Sequence, residues 1–225
     1  MSVTKARQIA TFAAVLAMLV AGLLHAPAAS AAGSTVRTRA LARLAKLRVA
    51  DYLPLHGYRR TLFPTWLDPD GNGCNARQDA LIRYGTHVQT GAHCRIVSGT
   101  WRDPYSGRVY RRSSTLDCDH IVPLANAWIS GARSWPAARR KRYANDPVVL
   151  LITSSHLNRQ KGDSPPQEWK PPRGAFWITY AARWIRIKTR YHLTITRPER
   201  NSLRVMLRPD YLIAAAELHL HRGRG

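Results

Sequence analysis

LDCDHIVPL (residues 116–124), VVLLIT (148–153) and SSHLNRQKGD (154–163) are the stretches whose reading decides the fold. Residues 116–122 read as a strand, and Pro123 suits the first turn of a helix that ends near Gly131. The run 148–153 is β-branched and bounded by turn signals, which predicts a short buried strand. Residues 154–162 read as a helix ended by Gly162. The order strand, strand, helix places Asp119 and His120 at the end of the first strand and Asn158 on the helix. A strand pair folded against that helix brings these polar groups together over an apolar base. Adjacent strand residues point in different directions, so Asp119 can hold a cation while His120 addresses a water.

These residue types suit phosphodiester hydrolysis. That reaction needs a base for water, a cation to offset charge on phosphorus, and support for the leaving alkoxide. Histidine, with an unperturbed pKa of about 6.5, is largely neutral near pH 7 and can serve as base. A carboxylate and an amide oxygen are hard ligands appropriate to Mg²⁺, or to Mn²⁺, with several waters retained. Cys118 and His120 also invite a cysteine-nucleophile reading, but no third group is in view to orient the pair.

Outward from this centre, RIVSGTW (95–101) and GRVYRR (107–112) flank a turn-rich DPYSG and predict a hairpin. Asn75 caps a short helix, ARQDALIRY, closed by Gly85, and AARRKRYA reads as a basic helix stopped by Asn145-Asp146-Pro147. Trp177, Tyr180, Trp184, Ile187 and Tyr191 recur at steps of three and four, a core-facing stripe. Thr196-Arg197-Pro198-Glu199 is a capping box that starts another helix. Residues 32–52 form a basic N-terminal helix or linker with Leu41, Leu44 and Leu47 on one side, and the tail 219–225 should fray.

The first 31 residues have the parts of a secretory signal: Lys5 and Arg7, an apolar run from Ile9 to Leu24, and the small-x-small site Ala29-Ser30-Ala31. No later segment reads as a membrane span, so a secreted, extracellular protein is expected. The formal net charge of +22 on 225 residues is spread along the chain and opposes compaction, which points to a polyanion partner such as nucleic acid. Charge alone fits an anionic cell envelope as well. Three cysteines in an oxidising compartment imply one disulfide and one odd thiol. Cys74 with Cys94 is the favoured pair, leaving Cys118 in the strand; other pairings and three thiols stay open.

DHIVPL followed by NRQKGD resembles the HNH nucleases of the ββα-metal superfamily, and more closely their secreted bacterial branch related to the C-terminal domain of GmrSD-type restriction enzymes. GYRRTLFPTWLDPDGNGCNAR, SGTWRDPYSG, LDCDHIVPLANAWISGARSW, YANDP, NRQKGDSPPQEWKPP and YAARWIRIKTRYHLTIT extend the likeness over Leu53 to Leu207. The resemblance implies an α+β fold with a ββα-metal centre, elaborated by the hairpin and C-terminal helices, in a domain over 53–218. It implies His120 as general base, Asp119 and Asn158 as metal ligands, and endonucleolytic cleavage of DNA or RNA. The place of the family's middle Asn, which braces the loop carrying the base, is held by Val149; Asn126 or Asn145 could substitute.

Other residues carry weaker readings. Asp117 shares a strand face with Asp119 and could orient the metal shell or pair with a basic residue. Lys161 and Arg159 could hold phosphate oxygens or form a solvated basic face. Asp68, Asp70, Asn72 and Asp79, with Gly73 at the sixth place, match a structural Ca²⁺ loop, although a plain turn explains them too and Asp79 stands where Glu is usual. Three functions compete: a low-specificity endonuclease, a cationic nucleic-acid-binding protein that keeps the fold without turnover, and an envelope-adhering or membrane-active basic protein. No inhibitor protein that would protect the producing cell is legible in the chain.

Overall fold

The computed structural model describes residues 28–208, with side chains from residue 35 onward. Most of the expected signal peptide and the expected frayed tail lie outside the described residues. Two compact units divide between Val36 and Arg37, and the elements described after helix α1 (Ala28–Lys46) belong to the second. Among the described residues no helix is long and apolar enough to cross a membrane.

The centre is an antiparallel pair, β4 (Leu116–His120) and β5 (Leu150–Ser154), with Asp119 opposite Leu151 and His120 opposite Leu150. Helix α5 (Ser155–Lys161) follows β5 without a loop: the Ser154 side chain accepts from the Leu157 N–H, and Gly162, at φ +52°, ends the helix. Side chains alternate across the strands. Leu116, Cys118, Leu150 and Ile152 pack with Leu81 and Trp101 in one apolar cluster, whereas Leu151 joins a larger cluster with Ile121, Val122, Tyr180 and Trp184. The ββα order read from the sequence is present, within an α+β fold.

A second sheet has the order β1 (Gly85–Thr90), β2 (Ile96–Arg102), β3 (Val109–Tyr110). The hairpin forms where DPYSG predicts it: Gly107 sits at φ +79° and its N–H donates to the Asp103 carbonyl. Strand β1 is absent from the sequence reading. It follows helix α2 (Ala76–Tyr84) directly, lacks regular alternation, and pairs with β2 through two register irregularities. Helix α2 has the full Asn75–Gln78 capping box. Its start is tied by a Cys74–Cys94 disulfide to the β1–β2 connection, and Cys118 is free and buried.

The remaining helices are α3 (Leu124–Ile129), α4 (Ala137–Asn145), α6 (Trp177–Tyr191) and α7 (Arg197–Met206), the last with the Thr196–Glu199 capping box. Tyr180, Trp184, Ile187 and Tyr191 are buried, so the aromatic stripe is core. Leu44 in α1 and Leu47 just beyond its end are buried, but Leu41 is 39% exposed and Ala40 turns inward instead. A spacing of three drifts around a helix of 3.6 residues per turn; 40, 44, 47 follows the face better.

Helices α6 and α7 are registered by a fully buried ion pair, Lys188 Nζ to Glu199 Oε1 at 2.8 Å. Lys188 also donates to Ser130 Oγ and the Thr194 carbonyl, while Glu199 accepts from Tyr52 and from the Trp184 indole. Burial pulls the Lys188 pKa down and Glu199 opposes that shift. Replacing Glu199 by Ala strands a buried ammonium, so chemical denaturation should show a loss of about 3–5 kcal/mol, and the double change Lys188→Met with Glu199→Leu should lose less. A loss below about 1 kcal/mol for Glu199→Ala would mean that the pair contributes as little as a surface one.

Candidate active site

Because β4 ends at His120 and α5 packs against it, Asp119, His120 and Asn158 line a single cavity of about 330 Å³, together with Arg60, Arg159 and Asp163. The three residues singled out in the sequence are therefore brought together. Each is held by a different part of the fold.

Asp119 is 4% exposed and both of its carboxylate oxygens are engaged. Oδ1 accepts from Lys161 Nζ at 2.7 Å, and Oδ2 accepts from the Tyr105 hydroxyl at 2.5 Å. Burial, then the charge of Asp119, pushes the Tyr105 pKa far above its usual value, so its proton stays on the phenol. Tyr105 is positioned by its own turn: Asp103 accepts from the Tyr105 N–H, from Ser106 Oγ and from Thr153 Oγ1 on β5.

Lys161 also donates to the His120 carbonyl at 3.0 Å and is 1% exposed. This corrects the expectation of a phosphate contact or a solvated face. Leu157 and Lys161, four apart, lie on the inward side of α5, where the buried carboxylate captures the amine. Arg159 points elsewhere on the same helix and is exposed at the cavity.

His120 is 5% exposed, and its Nε2 lies 2.9 Å from the Ala144 carbonyl. A carbonyl only accepts, so Nε2 carries the proton and Nδ1 keeps a free lone pair. Trp66 packs on the ring at a centroid distance of 5.8 Å. Burial, against the opposing bond to Ala144 and the charge of Asp119, lowers the imidazole pKa to about 4, which keeps the ring neutral near pH 7.

The place of the family's middle Asn is occupied by buried Val149, and the structure separates the two substitutes. Asn126 donates to Tyr52 and accepts from Ser130, within the Lys188–Glu199 network. Asn145 is 4% exposed; it donates to the Pro64 and Lys141 carbonyls and accepts from the Leu67 N–H. One amide thus ties the end of α4, which presents the Ala144 carbonyl, to the segment that carries Trp66.

Asn158 Nδ2 donates to Asp117 Oδ2 at 3.1 Å, which leaves Oδ1 as the free acceptor of that amide. Asp117 therefore pairs with Asn158 and not with a basic residue. Asp119 and Asn158 Oδ1 are the two groups that could hold a cation. No cluster of three His, Cys, Asp or Glu side chains able to hold a metal occurs among the described residues. A donor set this sparse fits an ion that keeps most of its own water, as Mg²⁺ does, and each Asp119 oxygen has a lone pair beyond the one in use.

The Cys118 thiol is pushed up to about 12, chiefly by burial, which removes the thiolate a nucleophile requires. At the other proposed metal loop, Asp68 accepts from the Gly71, Asn72 and Gly73 N–H groups, and the Asn72 amide donates to Asp70 and Asp79. Backbone donors thus take up Asp68, while the Asn72 amide joins Asp70 and Asp79.

Tyr105, Trp66 and Arg60 were not singled out in the sequence. Tyr105 stood within a turn motif and Arg60 within an arginine-rich chain, where only tertiary placement distinguishes them.

Over residues 76–206 the chain matches the family described as GmrSD restriction endonucleases, C-terminal domain. It is also 39% identical over 200 residues to an "Uncharacterized secreted protein" of Arthroderma benhamiae, covering 88% of this chain and 97% of that protein. No solved structure matches. With the ββα centre in place and the match spanning more than half of its length, this chain belongs to the family of the GmrSD restriction endonuclease C-terminal domain, a nuclease-related domain.

Proposed function

We propose that the protein is a secreted, metal-dependent endonuclease that hydrolyses phosphodiester bonds of DNA, and secondarily of RNA, with low sequence specificity. The observation that carries this reading is the single cavity in which a neutral, tautomer-fixed His120 meets Asp119, Asn158 and two exposed arginines. Pure binding of a polyanion has no use for a desolvated imidazole held from two sides. Secretion is supported by the N-terminal signal pattern, by the disulfide, and by the name of the Arthroderma benhamiae relative.

In this mechanism His120 Nδ1 takes a proton from water, and the resulting hydroxide attacks phosphorus while the bond to the leaving oxygen breaks. Asp119 and Asn158 would hold a hydrated Mg²⁺ or Mn²⁺, whose chemistry there is to polarise the phosphate and offset charge on the leaving oxygen. Arg60 and Arg159 hold the non-bridging oxygens by charge-assisted hydrogen bonds. The Ala144 carbonyl and Trp66 keep the imidazole from turning, and Asn145 holds both of them in place. With contacts confined to the backbone, sequence goes unread.

The competing reading, a cationic binder without turnover, draws on Val149 in the place of the middle Asn. Plasmid nicking separates the two. The mature protein should nick plasmid DNA with Mg²⁺ or Mn²⁺ and stop on chelation; His120→Ala should lower the rate by about 10²–10⁴-fold while DNA affinity holds. Binding without scission in any divalent ion would decide for the binder.

Asn145→Ala should act on turnover alone. Loss of the brace frees the imidazole, so kcat should fall by roughly 10–100-fold with KM little changed, since a small misplacement of a catalytic group is costly. A rise in KM at constant kcat would show that Asn145 serves binding and not the base.

A further inference from the structure

The segment Val49–Asp51 and helix α7 enclose a groove of about 610 Å³ that shares no lining residue with the site cavity. One wall is fixed by a parallel bridge between Val49 and Ile195, with the Ala50 N–H donating to the Ile195 carbonyl at 3.0 Å. The other wall carries Arg197, Arg200, Asn201 and Arg204. Glu199, Leu203 and Met206 take the buried side of the same helix, which leaves the three arginines, at steps of three and four, along the groove.

Two costs are visible there. The ion pairs among the described residues are Lys161–Asp119, Lys188–Glu199 and Arg190–Asp146, so none of the three guanidinium groups has a carboxylate partner, although Asp51 lines the groove. Like charges at this spacing repel one another. In addition, Arg200 Nε is shielded from solvent and has no hydrogen-bond acceptor, an unfavourable state for a charged donor. A phosphate in the groove would offset the repulsion and give the partly exposed Arg200 side chain an anionic partner. From Arg197 to Arg204 the helix rises about 10 Å, a length over which one strand of a duplex presents about three phosphates.

We propose that this groove is a second nucleic-acid contact, one that grips the phosphate backbone of duplex DNA away from the cleavage cavity. The proposal rests on the nuclease reading for its purpose but not for its test. Binding of a 30-base-pair duplex to the mature chain is followed by fluorescence anisotropy in chelator, across a series of salt concentrations. Three proteins are compared: the wild type, the triple variant Arg197→Gln, Arg200→Gln, Arg204→Gln, and a control triple variant of the same net charge, Arg111→Gln, Arg133→Gln, Arg186→Gln, all from exposed positions outside the groove.

The groove variant should bind at least 10-fold more weakly than the control near 0.1 M salt. Its plot of log affinity against log salt should be shallower than the wild type by about 2.7, at about 0.9 for each phosphate that the variant no longer neutralises. Equal losses in the two triple variants would overturn the proposal in favour of diffuse charge. So would unchanged DNA binding in the groove variant, with or without loss of binding to phosphatidylserine vesicles. Because no strand is cut in chelator, a failed groove leaves the nuclease reading intact. Conversely, a wild type that never nicks DNA leaves the groove to stand on its own binding data.

Discussion

The buried carboxylate of Asp119 is the constraint to which the rest of the centre answers. A charge removed from water must be compensated by an opposite charge or by hydrogen bonds, because leaving it bare costs several kcal/mol. Here Lys161 arrives from α5 and Tyr105 from the hairpin turn, one donor on each oxygen. The lysine ties α5 to the end of β4 twice, through Asp119 and through the His120 carbonyl. Asn158 lies three residues before Lys161 on that helix, so fixing one places the other at the cavity.

The hairpin is bound into the same arrangement. Asp103 is a hub that holds the Tyr105 backbone, Ser106 and Thr153, so the turn between β2 and β3 is locked to β5. Two sheets that share no strand are thereby coupled through side chains. On the opposite side of β4, the imidazole answers to a separate set of restraints: the Ala144 carbonyl, the Trp66 ring, and the Asn145 amide behind both. The carboxylate and the imidazole at this site are thus held by independent pieces of the fold, which lets one be perturbed without the other.

The distribution of charge follows the same division of labour. Cationic groups that the core needs are buried and paired, as Lys161 and Lys188 are. Arg60 and Arg159 at the cavity, and Arg197, Arg200 and Arg204 along α7, have no ion-pair partner among the described residues. A net charge of +22 is tolerable in a folded chain because those cations lie at the surface, where water and salt screen them.

Local chemistry alone determined much of this protein. The caps at Asn75, Thr196 and Gly162, the DPYSG turn, the aromatic stripe and the strand–strand–helix order are settled within a few residues of chain, and each appears where the sequence places it. Strand β1 escaped notice because GTHVQT lacks alternation and gains its pairing only from β2. Which lysine turns inward, which tyrosine meets Asp119, and which asparagine stands behind the imidazole were decided by tertiary structure. Tyr105 and Asp119 are 14 residues apart, Asn145 and Pro64 81 residues apart. Such pairings depend on where remote segments are packed and on the cost of leaving a buried polar group unpaired, and no local pattern encodes either.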